Sequence, residues 1–172
     1  KSTYIRQVGI LTLMAQIGCY IPAKSAEIGI VDRIFTRVGL EDDLSEGRST
    51  FMTEMLETAL ILKEATKRSL IILDEIGRGT STYDGLAIAM SVAEFIHEDH
   101  NMKSRTLFAT HFHEMTTLES DFIRIKNYHV SVIEDGQRVV FLHNIKRGIS
   151  ERSYGIYVAE LAGMPQQVIH KS

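Results

Sequence analysis

Two adjacent carboxylates, Asp74 and Glu75, close the aliphatic run Leu70, Ile71, Ile72 and Leu73 and open a glycine-rich turn that holds Gly77 and Gly79. The run shows no polar alternation, and Lys67 and Arg68 before it and the glycines after it limit it to strand length, which suits a parallel strand buried on both faces. In open parallel sheets ligands gather beyond the carboxyl ends of the strands, where Asp74 and Glu75 fall. An Asp there can hold Mg²⁺ through water, and a neighbouring Glu can polarise a water for attack on a γ-phosphate. The same residues also fit a strand that ends in two solvated acids.

The chain opens Lys1-Ser2-Thr3 and continues with apolar residues at helical spacing. Lys-Ser is the end of the phosphate-binding pattern G-x-x-x-x-G-K-[ST]. Read that way, Lys1 reaches the β- and γ-phosphates, Ser2 offers its hydroxyl to Mg²⁺, and the helix start points backbone N–H groups at the anion. A lysine before a serine helix cap would look the same, so the weight of this motif comes from the carboxylates downstream. Ser49 and Thr50 start a second helical pattern and read as a cap, which is also aimed where an anion would dock. His111 follows the strand-like 106–110, at a strand's carboxyl end. His111 with His113 could suggest a metal pair, but with one cysteine and no further ligand cluster at usual spacing zinc is not expected.

Positioning these groups requires an α/β alternation. The pattern predicts a helix over 2–18, one or two strands within 27–38, a charged loop over 40–48, and a helix over 50–67. In that second helix Phe51, Met52, Met55, Leu56, Ala59 and Leu60 share a face, with Glu54 in the first turn and Lys63, Lys67 and Arg68 at the end to complement the macrodipole. A strand at 70–73, a helix from Tyr83 to His97 and a strand at 106–109 follow. Segments 123–133 and 137–145 alternate as a hairpin turning at Glu134-Asp135-Gly136. Helices near 154–162 and from Pro165 end the chain. By glycine content 77–82 is a flexible turn, and Cys19 reads as a core filler.

Four segments, KSTYIRQ (1–7), GRSTFMTEM (47–55), DEIGRGTSTYDG (74–85) and FATHFHEM (108–115), together with IGCYIPA (17–23), DRIFTRVG (32–39) and SYGIYVAELAGMP (153–165), resemble the ATPase domain of the MutS family of DNA mismatch-repair proteins over essentially the whole chain. The resemblance implies a P-loop NTPase of the ATP-binding-cassette-like branch: a largely parallel sheet flanked by helices with a C-terminal antiparallel hairpin. It implies a single ATPase domain over 1–172, truncated at both ends. The glycine half of the phosphate loop would lie upstream of Lys1, a helix-turn-helix would begin around 166–172, and the piece alone would be inactive. By the same resemblance ATP and Mg²⁺ are the cofactors. Lys1, Ser2, Thr3, Asp74 and His143 bind ATP, Ser2 and Asp74 hold the metal, and Glu75 and His111 are catalytic. His143 resembles the position that stacks on adenine, though an edge-strand histidine would look alike. Ser49 addresses the nucleotide of a second subunit, and Ser49, Thr50, Arg78, Thr80, Ser81 and Asp84 line a dimer interface. Arg78 suits a phosphate as an arginine finger and equally suits bracing the loop against an acidic neighbour.

The partners so implied are a second subunit, identical or related, mismatched duplex DNA bound by other domains, and a downstream repair protein of the MutL type. Composition fits an internal piece of a soluble protein, 44% apolar with one cysteine. Nineteen basic against 22 acidic residues, a net charge of −3, argue against this segment being the main DNA-binding surface. No apolar run approaches the ~20 residues that span a bilayer. The location is cytoplasmic if bacterial, which is favoured, and nuclear if eukaryotic. Competing readings are a MutS paralogue acting on recombination intermediates or ribosomes, and a non-hydrolysing dimerisation module. Keeping both Glu75 and His111 argues against the last.

Overall fold

The computed structural model describes residues 1–39, 49–135, 138–150 and 153–171, which fall into two compact units, Lys1–Ile125 and Lys126–Ser172. The first unit runs α1 (Ser2–Gln16), β1 (Ile34–Arg37), α2 (Thr50–Glu64), β2 (Leu70–Asp74), α3 (Thr82–Glu98), β3 (Arg105–Ala109), a 3-10 turn (His113–Thr117) and the single-turn α4 (Leu118–Asp121). The strands form a parallel sheet in the order β1-β2-β3. Parallel neighbours need a crossover, and here each is a helix. Both steps move the same way across the sheet, so right-handed crossovers put α2 and α3 on one face and leave the other to α1.

Alternation along β2 divides its side chains between those faces. Ile71 and Leu73 pack with Ile61 of α2 and with Val92 and Ile96 of α3. Leu70 and Ile72 pack with Ile5 of α1 and with Ala109. The whole of β2 is buried, as an aliphatic run without alternation requires.

Several sequence expectations shift. Only β1 forms in 27–38. Ahead of it, the side-chain amide of Gln16 takes both backbone groups of Val31, accepting from its N–H at 2.5 Å and donating to its C=O at 3.2 Å, so that a strand partner is not needed there. Helix α2 stops at Glu64 with Ala65 in an extended conformation. Thr66 and Ser69 then close a turn, Ser69 N–H on Thr66 C=O and Thr66 N–H on Ser69 Oγ. Lys67 and Arg68 therefore lie outside the helix, leaving Lys63 in its last turn. Asp32 accepts from the hydroxyls of Thr66 and Ser69. The Thr66 hydrogen bond is the main reason that its carboxyl titrates below the usual Asp range, with desolvation opposing it.

The expected apolar face of α2 is only in part its buried one: Met55 packs against the core and Phe51 is half-buried. Met52, Leu56 and Leu60 are exposed, whereas Glu54, Thr58 and Ile61 are buried. Cys19 is exposed, not a core filler; it follows Gly18, whose φ is positive just beyond the end of α1.

The second unit contains the hairpin β4 (Tyr128–Asp135) and β5 (Arg138–Arg147), with a bulge between Val130 and Val132, followed by α5 (Gly155–Leu161) and α6 (Gln166–Ile169). Its first strand starts at Tyr128 and not near 123, because Ile125 N–H bonds Phe122 C=O in a preceding turn. Glu134 and Asp135 belong to β4, and Pro165 precedes α6 as its N-cap. Gly136 of the expected turn and the expected loop 40–48 lie outside the described residues. Among those described, no helix is long and apolar enough to cross a membrane.

Candidate functional site

The carboxyl ends of β2 and β3 bring together the groups that the sequence singles out. Asp74, the last residue of β2, follows the parity of Leu70 and Ile72 and turns to the α1 face. Its side chain is 3% exposed and accepts from Ser2 Oγ at 2.8 Å through Oδ1 and from Arg6 Nη2 at 3.0 Å through Oδ2. Ser2 and Arg6 are four residues apart, so both point from the same side of α1. Lys1 Nζ donates to Thr110 C=O, just beyond β3, at 2.8 Å. A lysine ammonium, a serine hydroxyl, a buried carboxylate and the start of a 15-residue helix thus meet at one sheet edge. The adjacent hydroxyl and carboxylate oxygens are hard donors of the kind that Mg²⁺ takes, and the N-terminal end of a helix suits a phosphate.

Glu75 departs from the strand. Its N–H still bonds Ala109 C=O at 2.9 Å, but its φ is +60°, a left-handed conformation uncommon for a residue with a side chain. Such strain costs roughly 1–3 kcal/mol and gathers at functional sites. The carboxylate is directed into a cleft of about 230 Å³ lined by Glu75, Ile76, Gly77, Arg78, Thr80, Thr82, Thr110, His111 and Phe112. Oε1 meets His111 Nε2 at 2.5 Å and Oε2 meets the Arg78 guanidinium. A carboxylate and an imidazole on facing strand ends can orient and deprotonate a water between them and a bound electrophile.

The turn after Glu75 is packed, not loose. Gly77 has φ +90°, and a Cβ on it would fall 2.5 Å from Gly85 C=O. Arg78 takes the bracing alternative within this chain, paired with Glu75. Ser81 and Asp84 cap α3 here: Ser81 Oγ accepts from Asp84 N–H at 3.3 Å and donates to Asp84 Oδ2 at 2.8 Å. Thr80 lines the cleft beside Glu75.

Other site residues stand apart from this cluster. Ser49 is the N-cap of α2 without a side-chain cap bond, and Thr50 is exposed as the first helical residue. They belong to α2, on the sheet face opposite α1. Thr3 is exposed on α1. His143 lies on β5, and its side chain is outside what the structure describes. Sequence reasoning missed Arg6, Arg37 and Glu54. The spacing of Arg6 from Ser2 was a usable signal, whereas nothing local marks Arg37 and Glu54 as a buried pair.

With this geometry in place, comparison with known proteins is specific. The family model described as MutS domain V matches residues 1–172. The DNA mismatch repair protein MutS of Roseiflexus sp. (strain RS-1) is 61% identical over the 172 residues, which are all of this chain and 16% of that protein. The proteins of the same name from Chloroflexus aurantiacus (strain J-10-fl) and Caldicellulosiruptor saccharolyticus are 59% and 56% identical over the whole chain, covering 18% and 20% of their lengths. The chain spans a fifth or less of these curated relatives.

Proposed function

The chain belongs to the MutS family as its domain V, and from that premise we propose that it binds and hydrolyses ATP for a DNA mismatch-recognition protein. In this reading it is a P-loop NTPase of the cassette-like branch, in the cytoplasm of a bacterium, and works as a dimer with a second such domain. Its nucleotide state is coupled to mismatched DNA bound by other parts of the polypeptide and to recruitment of a MutL-type partner.

The observation that carries the reading is the Ser2 Oγ to Asp74 Oδ1 contact of 2.8 Å, which joins the start of α1 to the carboxylate strand beside Glu75. Ser2 and Asp74 would hold Mg²⁺, which when bound neutralises phosphate charge. Lys1 exchanges Thr110 C=O for the terminal phosphates. Glu75 takes a proton from the attacking water, and His111 holds that carboxylate in register and contacts the γ-phosphate. Ser49, on the far face of the sheet, addresses the γ-phosphate held by the other subunit.

The test is calorimetric titration of the intact, MutS-length protein with ATP and ADP in Mg²⁺. Lys1→Ala should weaken ATP binding by about tenfold or more and ADP binding by less, since a lysine on the terminal phosphate has no partner once that phosphate leaves. Equal losses would remove Lys1 from the γ-phosphate, and absence of ATP binding by the unaltered protein would overturn the proposal.

A further inference from the structure

Glu54 is a buried acid on the helix that starts at Ser49. Its side chain is 6% exposed, and that of Arg37, at the end of β1, is 7% exposed. An ionised carboxylate persists in such a place only when its oxygens are matched. Oε2 faces Arg37 Nη2 at 3.5 Å, and Oε1 accepts from the N–H of Gly77 at 2.5 Å. Arg37 is ion-paired in turn with Glu57, whose Oε2 lies 3.3 Å from its Nε without forming a hydrogen bond there, and it donates to Val38 C=O at 2.5 Å.

Gly77 lies two residues after Glu75, so this bond reaches the turn that aims the Glu75 carboxylate. The same turn is confined on its other sides. Gly77 abuts the Gly85 backbone of α3, and a Cβ on Gly79 would fall 2.9 Å from Phe51 Cβ of α2. Phe51 and Glu54 are one helical turn apart, so the first turns of α2 hold the turn at both of its glycines. Without the Glu54 acceptor, the Gly77 N–H would be buried and unpaired, and its backbone would have to rotate to recover a partner. A rotation at Gly77 would pass through Ile76 to Glu75, which is already in a left-handed conformation.

We infer that Glu54 is a positioning residue for hydrolysis: it ties the turn bearing Glu75 to α2, so that displacement of the Ser49 end of that helix moves the Glu75 carboxylate. The inference rests on the ATPase reading. It makes α2 the route by which a second subunit, engaging Ser49, sets the geometry of water activation in the site of this chain.

Steady-state ATP hydrolysis and thermal unfolding of the intact protein test it with three variants. Glu54→Met should lower kcat about 10- to 100-fold, the scale of a misplacement near 1 Å, with KM for ATP within about threefold of the parent. Glu54→Gln keeps an oxygen for Gly77 N–H and should recover most of that kcat. The double variant Arg37→Met with Glu54→Met removes the buried charges together and should regain thermal stability lost in Glu54→Met, yet stay as slow, because Gly77 still lacks its acceptor. Recovery of kcat along with stability in the double variant would overturn the inference, as would a Glu54→Gln enzyme as slow as Glu54→Met. Glu75→Gln is assayed alongside. If the unaltered protein hydrolyses no ATP, the ATPase reading itself fails; a Glu75→Gln variant at the parent rate removes Glu75 from water activation and the inference with it, and a slow Glu75→Gln beside a fast Glu54→Met overturns the positioning role alone.

Discussion

Asp74 and Glu75 are adjacent in sequence and are held in opposite ways by the two faces of the sheet. Asp74 sits within a fully buried strand, its oxygens matched by Ser2 and Arg6 of α1. Glu75 sits on a left-handed turn pressed between α2 and α3 and is 22% exposed at its side chain. In the proposed ATPase, the α1 face would hold the ligand, and the turn packed on α2 and α3 would aim the reactive group. A strand fixes direction through its ladder, so it suits the carboxylate that must not move. A turn fixed by helices inherits their motion, and it carries the carboxylate whose alignment can be gated.

The largest way to break this contrast is Gly77→Ala. The added Cβ meets the Gly85 backbone at 2.5 Å with φ at +90°, and neither backbone can yield cheaply. The cost should be roughly 2–4 kcal/mol, read as a fall of several degrees in the unfolding temperature of this domain by calorimetry. Hydrolysis should fall with it while ATP binding, assigned to the α1 face in the proposed function, should persist. An unchanged melting temperature would show that the turn is not confined as described.

A smaller effect is expected from mixing subunits. Lys1 and Ser49 lie on helices of opposite sheet faces, so a Ser49→Ala subunit and a Glu75→Gln subunit should rebuild one complete site in each mixed dimer. Hydrolysis should recover partly, to at most about half of the parent if each site contributes equally, against little from either variant alone. Mixed dimers that form, as judged by two affinity tags, and remain inactive would assign Ser49 to the helix start alone.

The smallest effect belongs to the other end of the sheet. Asp32 is held below its usual carboxyl range chiefly by the Thr66 hydroxyl. A depressed folded pKa means that its contribution to stability is present above the unfolded value near 3.9 and is lost as pH falls through the folded value. Asp32→Asn should therefore lower unfolding temperature slightly near neutrality, with the gap to the parent closing in acid and hydrolysis unchanged. A gap that widens in acid would contradict the sign.

The strands and helices that bear the site were legible because period and punctuation coincide. The run 70–73 with its flanking charges and glycines gave β2, and Lys1, Ser2, Asp74, Glu75 and His111 were singled out by type and place. What the sequence hid depends on tertiary partners. Glu54 looked like a dipole-facing surface acid, but Arg37 and Gly77 are distant in sequence and only the fold brings them to it. The buried face of α2 is offset from the expected one for the same reason: Met55 packs on the core as expected, but hydrophobicity alone also favoured Met52, Leu56 and Leu60, while the core accepted a paired acid and Thr58, whose hydroxyl donates back to Glu54 C=O at 2.8 Å. Val31 was read as strand because apolar pattern does not show a side-chain amide taking the place of a ladder.

The most direct test of the contrast between the two carboxylates is Glu75→Gln in the intact protein, with ATP affinity by titration and phosphate release by single-turnover kinetics measured on one preparation. ATP affinity should stay within a few fold of the parent while hydrolysis slows roughly 10²- to 10⁴-fold, the range for loss of a general base. Parallel loss of affinity and rate would show that Glu75 helps to hold the nucleotide, and a parental rate would contradict its role in activating water.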